Sequence, residues 1–252
     1  MCFRKPTWNK WKRRSTAKTN SAFLSVDPIR KSLSRSDFSF AELRNDPITT
    51  VYVVIPGEYA QSLYAYNRLI MESAMRELMH KPSGRPVLFI IDEMPLLQRM
   101  EILETITAMG AGLNIRTWCL AQDIHQLKRL YPESYQSFLA NAGAQQWFAP
   151  REEETAEYLS KRCGQRTVMV KNTSTREITV KEAQGGFTGL SHSYSPQPRA
   201  LYLPQEIMAM RGDRQLLFLD GVENVVVAGR RPYWDIPEFK GRYDPNPYHV
   251  KP

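Results

Sequence analysis

Cysteine is scarce in this chain: Cys2, Cys119 and Cys163 are the only three in 252 residues, and their spacing matches no metal-ligand pattern. Such usage suits a reducing cytoplasm and leaves Cys119 as a core residue. Long apolar runs are missing too. None approaches the ~18 residues that a helix needs to cross a bilayer. Acids are absent from the first twenty residues, where Arg4, Lys5, Lys10, Lys12, Arg13, Arg14 and Lys18 stand alone. That segment has the charge of a secretory leader but no apolar centre, so no signal peptide is expected. It also accounts for the net charge of +8. Of 34 bases and 26 acids overall, setting those seven aside leaves 27 against 26. The remainder is near neutral, and composition makes no case there for a strong phosphate-binding surface.

What is present fits an ordinary globular chain, long enough for one large domain or two small ones. Residues 1–20 read as a basic tail carrying Trp8 and Trp11, which either touches phosphates or anionic lipid or stays a solvated arm. Residues 21–48 read as a helical lead-in, with short helices at Phe23–Val26 and Phe38–Leu43 and Asp37 as an N-cap of the second. Thr49–Ile55 is strongly β-branched and predicts a strand ended by Pro56-Gly57. Ala60–Met79 predicts a helix whose buried face holds Leu63, Tyr66, Leu69, Ile70, Ala74 and Leu78.

Val87–Ile91 is a continuous apolar run and predicts a strand buried on both faces. Pro95 marks a helix start, and Ile102, Leu103, Ile106 and Met109 carry a helix to Gly110 or Gly112. Asn114–Ala121 predicts a further buried strand that ends at Gln122-Asp123. The alternation of strand and helix implies right-handed crossovers and a doubly wound, mostly parallel sheet. Two helices follow, at Ile124–Leu130 and Ser134–Leu139, then a strand at Ala144–Phe148. A helix runs from Arg151 to Cys163, with Gly164 after its end. Thr167–Lys171 and Ile178–Lys181 read as a hairpin, residues 183–200 as a loose loop, and Leu203–Glu206 as the start of a short helix. Gln215–Asp220 and Asn224–Ala228 make a last hairpin, and 233–252 a proline-rich strap.

Chemistry concentrates where the apolar run meets two carboxylates, Asp92 and Glu93. In a parallel α/β sheet, functional groups gather at the carboxyl ends of strands. An apolar strand ending in Asp-Glu is the Walker B pattern of nucleotide-driven machines, in which the Asp helps hold Mg²⁺ and the Glu polarises water. The same residues also suit a core strand ending in two solvated acids. No G-x-x-x-x-G-K-[ST] loop, the amide-and-lysine cradle of β- and γ-phosphates, occurs in the chain. The nearest glycine cluster, Gly185–Gly189, has no lysine and no strand before it.

Several segments, in order, give the chain a family resemblance. They are Thr50–Pro56; Phe89-Ile90-Ile91-Asp92-Glu93-Met94-Pro95-Leu96-Leu97; Trp118–Leu127; Tyr131-Pro132; Phe138–Ala142; Glu154–Tyr158; Cys163–Val168; and Ala228–Trp234. Over roughly residues 21–245 the chain resembles the type IV secretion coupling proteins, the TraG/TraD-like conjugative DNA-transfer ATPases. The resemblance implies a RecA-like α/β fold, here incomplete on its Walker A side, with C-terminal β-hairpins and a partial motor domain over 49–232. It implies ATP and Mg²⁺ as cofactors, with Asp92 holding Mg²⁺, Glu93 activating water and Gln122 sensing the γ-phosphate. Hexamers of coupling-protein subunits, relaxosome proteins, single-stranded DNA and the secretion channel are the partners implied, at the cytoplasmic face of the bacterial inner membrane.

Two departures qualify those implications. The chain reads as the C-terminal half of such a protein and so is not expected to hydrolyse ATP alone. The alternative is a non-catalytic module that assembles with full-length subunits or relaxosome proteins. Where many relatives carry an arginine near the end of the helix after Walker B, this chain has Met109-Gly110-Ala111-Gly112, and Arg116 on the next strand is a poor substitute.

Overall fold

A computed structural model of the chain describes residues 18–46, 49–175 and 190–244. Most of the basic tail, the expected strand Ile178–Lys181, the Gly185–Gly189 cluster and the end of the proline-rich strap lie outside the described residues. The chain divides into two compact units between Ala142 and Gly143. Within them the described strands form one parallel pair and two antiparallel sheets.

The first unit is built on β1 (Val87–Ile91) and β2 (Ile115–Cys119), paired in parallel from Val87↔Ile115 to Ile91↔Cys119. Helices α1 (Asp27–Ser32), α2 (Tyr64–His80), α3 (Glu101–Met109), α4 (Ile124–Leu130) and α5 (Tyr135–Ala140) complete it. Its core joins Met75 and Leu78 of α2, Phe89 and Ile91 of β1, Leu103 and Ile106 of α3, and Ile115 of β2. Each such side chain, once buried, contributes about 1.5–3 kcal/mol of transfer free energy. Tyr131, just after α4, is fully buried, and its hydroxyl accepts the Met100 backbone N–H at 3.0 Å. That bond ties the entry of α3 to the end of α4.

A buried cation closes the amino-terminal edge of this unit. Arg44 is 3 % exposed. Its guanidinium donates to the carbonyls of Leu78 at the end of α2, Arg85 before β1, and Leu113 and Asn114 before β2. Four carbonyls from three chain segments meet on one side chain. The 3₁₀ turn that carries it, Phe40–Arg44, is capped by Ser39 in a reciprocal capping box with Glu42. The cap is Ser39, not the expected Asp37, because only Ser39 has an acid three residues on.

Three further expectations are corrected in this unit. Thr49–Ile55 forms no strand and pairs with no described one, and Tyr52 and Val54 are 82 % and 83 % exposed. A β-branched sequence favours the extended backbone but cannot supply the ladder partner. The parallel sheet therefore has two strands. Its β1 alternates instead of being buried on both faces: Val87, Phe89 and Ile91 point into the core, while Leu88 and Ile90 are exposed. On the α2 face, Ala74 and Leu78 are buried as expected, joined by Met75, but Leu69 is exposed.

In the second unit β3 (Ala144–Trp147), β6 (Arg214–Leu219) and β7 (Val226–Gly229) form an antiparallel sheet in the order β3-β6-β7. Leu159 of helix α6 (Glu153–Cys163) and Ile207 of α7 (Pro204–Met208) pack with Leu216 and Phe218 of β6. The start of α6 is capped by Glu152, whose carboxylate accepts from the N–H groups of Glu154 and Thr155. Its end turns at Gly164, with φ at 80° as the sequence predicts. Strands β4 (Gln165–Thr175) and β5 (Leu190–Ala200) pair over eleven residues. That overturns the loose loop expected for 183–200. Both strands are edges of a two-stranded ribbon, so Pro196 and Pro198 break no interior ladder and no buried face imprints an alternating pattern.

Candidate functional site

The carboxyl ends of β1 and β2 lie side by side, and backbone pairing continues past the strands themselves. The Leu120 N–H donates to the Ile91 carbonyl at 2.9 Å, and the Met94 N–H donates to the Leu120 carbonyl at 3.0 Å. Asp92 and Glu93 are pinned between those bonds, directly beside Ala121-Gln122. The turn that follows, Met94–Leu97, buries Met94 and Leu97 in the core, which fixes where the acids emerge.

Three side chains meet there. Asp92 is exposed, whereas Glu93 is half-buried. Desolvation raises the pKa of the Glu93 carboxyl above the usual carboxylate range, the neighbouring Asp92 charge adds to it, and a hydrogen bond from Gln122 opposes both. The sign of the linkage follows: protonated Glu93 is favoured in the folded chain below the ordinary glutamate pKa, and that contribution is lost as pH rises through the elevated one.

Gln122 is oriented in turn. Its side-chain carbonyl accepts the Gln126 amide N–H at 3.0 Å, which leaves its own amide N–H for Glu93. Gln126 sits in the first turn of α4, whose N-cap Asp123 accepts the Gln126 backbone N–H at 2.7 Å. The structure thus gathers all three predicted residues, Asp92, Glu93 and Gln122, at one point. Gln126 went unread in the sequence, although its i+4 offset from Gln122 across a helix start was the available signal. Arg116 does not belong to the group. It lies on the exposed face near the opposite end of β2, about 10 Å along the strand from Cys119. Cys119, beside the site on β2, has its thiol pKa pushed up to about 11 by burial, so it is no nucleophile at neutral pH.

No cluster of three or more His, Cys, Asp or Glu able to enclose a metal occurs among the described residues. An exposed Asp beside a second carboxylate is a partial donor set. It suits a cation that keeps water and takes the rest of its ligands elsewhere, as Mg²⁺ does.

The profile of the type IV secretory system conjugative DNA transfer family matches residues 14–250. The chain belongs to that family. It is 31 % identical over 216 residues to a conjugal transfer protein TraG of Escherichia coli, covering 80 % of this chain and 33 % of that protein. It is 28 % identical over 202 residues to the protein VirD4 of Rhizobium radiobacter, covering 78 % and 28 %. This chain therefore spans about a third of the length of the curated relatives it matches. The bacterial conjugative coupling protein TrwB has the same fold, with a TM-score of 0.62 at 15 % identity over 78 % of this chain and 44 % of that one. TrwB has also been solved in complex with ADP and Mg²⁺, and with a non-hydrolysable ATP analogue. Among the described residues of this family member, no helix is long and apolar enough to cross a membrane.

Proposed function

We propose that this chain supplies the magnesium- and water-handling end of a conjugative coupling motor and does not hydrolyse ATP by itself. The observation that carries the reading is the meeting of Asp92, Glu93 and Gln122 at the carboxyl ends of adjacent parallel strands, held there by the Leu120–Ile91 and Met94–Leu120 backbone bonds. Asp92, exposed and unshielded, would hold Mg²⁺. That ion supplies charge neutralisation at a phosphate oxygen when bound. Glu93, made more basic than a free glutamate, is suited to accept a proton from water. Gln122, locked by Gln126, orients the Glu93 carboxyl through its amide N–H. A nucleotide needs more than these groups. The 252 residues include no glycine-rich cradle with its lysine, so the acids present do not by themselves fit a bound triphosphate.

On this reading residues 49–232 act as the motor segment, flanked by the basic tail (1–20), the lead-in (21–48) and the strap (233–252). Its partners are coupling-protein subunits of a hexamer, relaxosome proteins, single-stranded DNA and channel components, at the cytoplasmic face of the inner membrane. A second reading, a non-catalytic module joined to full-length subunits, is favoured by one feature. The outer face of the parallel pair exposes Leu88, Ile90 and Trp118, more apolar surface than an isolated two-stranded sheet ordinarily leaves to water. A phosphate-release assay on the purified chain with Mg²⁺ and ATP tests the first reading. No release above background is expected. Turnover that disappears in Glu93→Gln would contradict the inactivity of the chain alone.

A further inference from the structure

We propose that the free edge of β4 is an interface between two copies of this chain, which pair β4 against β4 in an antiparallel, two-fold arrangement. The β4–β5 ribbon has little support of its own. It is tied to the second unit at its base, where the Leu201 N–H donates to the Gly164 carbonyl at 2.9 Å and Arg199 pairs with Glu206 at 2.6 Å. Farther out, Met169 and Tyr194 are 63 % and 61 % exposed. A two-stranded ribbon left to water is marginally stable, and further strands make it a lasting sheet.

The two edges of the ribbon differ. Gly164 and Leu201 continue the pairing that runs Gln165↔Ala200, Arg166↔Arg199 and onward. Bonded and non-bonded pairs alternate in an antiparallel ladder. With Gly164 and Leu201 bonded, the next bonded pairs are Arg166↔Arg199, Val168↔Gln197 and Val170↔Ser195. Thr167↔Pro198, Met169↔Pro196 and Lys171↔Tyr194 fall between them, with backbone groups turned away from the partner strand. On β5 two of those outward positions are prolines and offer no N–H, so that edge is blunted. On β4 the outward positions are Gln165, Thr167, Met169, Lys171, Thr173 and Thr175, and each keeps its N–H and C=O. Among the described residues no other strand or loop backbone bonds to them. Such an edge is a template for one more strand.

The strand's own sequence selects a second copy as the occupant. β4 runs eleven residues, Gln165–Thr175, so its centre is Val170. Laid antiparallel on another β4 about that centre, outward positions meet outward positions, as bonding requires. Met169 then faces the partner's Lys171, Val170 faces the partner's Val170, and no like charges stand opposite each other. A register centred on Lys171 would instead set that ammonium against its own copy. The contact is isologous. Once it is made, only the two proline-bearing β5 edges remain outside, so assembly stops at two and does not grow into a fibre. A ring of subunits uses heterologous contacts, so this pairing is separate from the hexamer of the proposed motor and does not depend on it.

Analytical ultracentrifugation of the full 29.1 kDa chain over about 1–100 µM is expected to show a monomer–dimer equilibrium with no higher species. Met169→Pro removes an outward N–H at a position that makes no bond to β5, and two-fold symmetry counts the loss twice. It is expected to weaken dimerisation about tenfold. Met169→Lys leaves the backbone intact but sets lysines opposite each other, and is expected to weaken dimerisation about threefold at low salt. Met169→Lys/Lys171→Glu is expected to restore it, which no loss of folding could mimic. Val170→Cys is expected to give a disulfide-linked dimer on oxidation, beyond any formed by the wild-type chain, because directly opposed Cβ atoms lie within bridging distance. Val168→Cys, opposite the partner's Asn172, is expected to give none. A chain that stays monomeric over that range overturns the proposal, and slow amide exchange at Thr167 and Met169 in such a monomer would mean that the chain covers its own edge. A dimer that neither Met169 variant weakens also overturns it, and moves self-association to another surface, such as the exposed Leu88, Ile90 and Trp118 face.

Discussion

Arg44→Met lowers the unfolding free energy of the chain by about 3–5 kcal/mol, read as a fall in the urea midpoint with an unchanged slope. The size follows from what the guanidinium holds. It bonds the Leu78, Arg85, Leu113 and Asn114 carbonyls at 3.1, 2.8, 2.7 and 2.9 Å in a site closed to solvent. Methionine fills the stem volume but returns none of those bonds, so four carbonyls, that of buried Leu78 among them, lose a charged donor at once. The Arg85 N–H also donates to the Arg44 carbonyl at 3.2 Å, so the turn and the approach to β1 are clasped in both directions. Arg44→Lys keeps the charge but not the fork and is expected to fall between the two. A loss under about 1 kcal/mol for Arg44→Met would mean that the carbonyls find water instead.

Gly110→Ala is expected to cost at least about 2 kcal/mol, while Gly112→Ala two residues away stays within about 0.5 kcal/mol. A Cβ at Gly110 would lie 2.5 Å from the Ile106 carbonyl oxygen, 2.9 Å from its Cγ2 and 3.0 Å from the Ile115 carbonyl oxygen. Two of those atoms are backbone and belong to α3 and β2, so relief requires parting the helix from the strand it leads into. At Gly112 the nearest contact is 3.7 Å, an ordinary packing distance. Thermal melts of the two variants side by side separate close approach from simple helix propensity. The same crowding accounts for the glycine at position 110 in Met109-Gly110-Ala111-Gly112. The chain turns so tightly under β2 that position 110 admits no side chain.

The elements with strong local signatures were legible in the sequence. The β1 run, α2, α4, α6 with Gly164 and the β6–β7 hairpin lie where periodicity and punctuation put them. So does the grouping of Asp92, Glu93 and Gln122, because parallel strands order their carboxyl ends. What escaped was non-local. Thr49–Ile55 has β-branched residues but no described partner, and a sequence cannot announce a missing neighbour. The β4–β5 ribbon has two solvent-facing sides, so burial left no alternation to read in Leu190–Ala200. Arg44 has no local signature, since a buried cation is recognised only by the carbonyls that converge on it.

The claim on which the rest depends is that Glu93 stands desolvated between Asp92 and Gln122 at the end of β1. The most direct measurement is the carboxyl titration of Glu93 by carbon-detected NMR, in the wild-type chain and in Asp92→Asn and Gln122→Ala. The wild-type Glu93 is expected to titrate above the usual glutamate value, lower when the Asp92 charge is removed and higher when the Gln122 hydrogen bond is lost. An ordinary glutamate titration that responds to neither substitution would place Glu93 out in solvent, and the account of this site would fail.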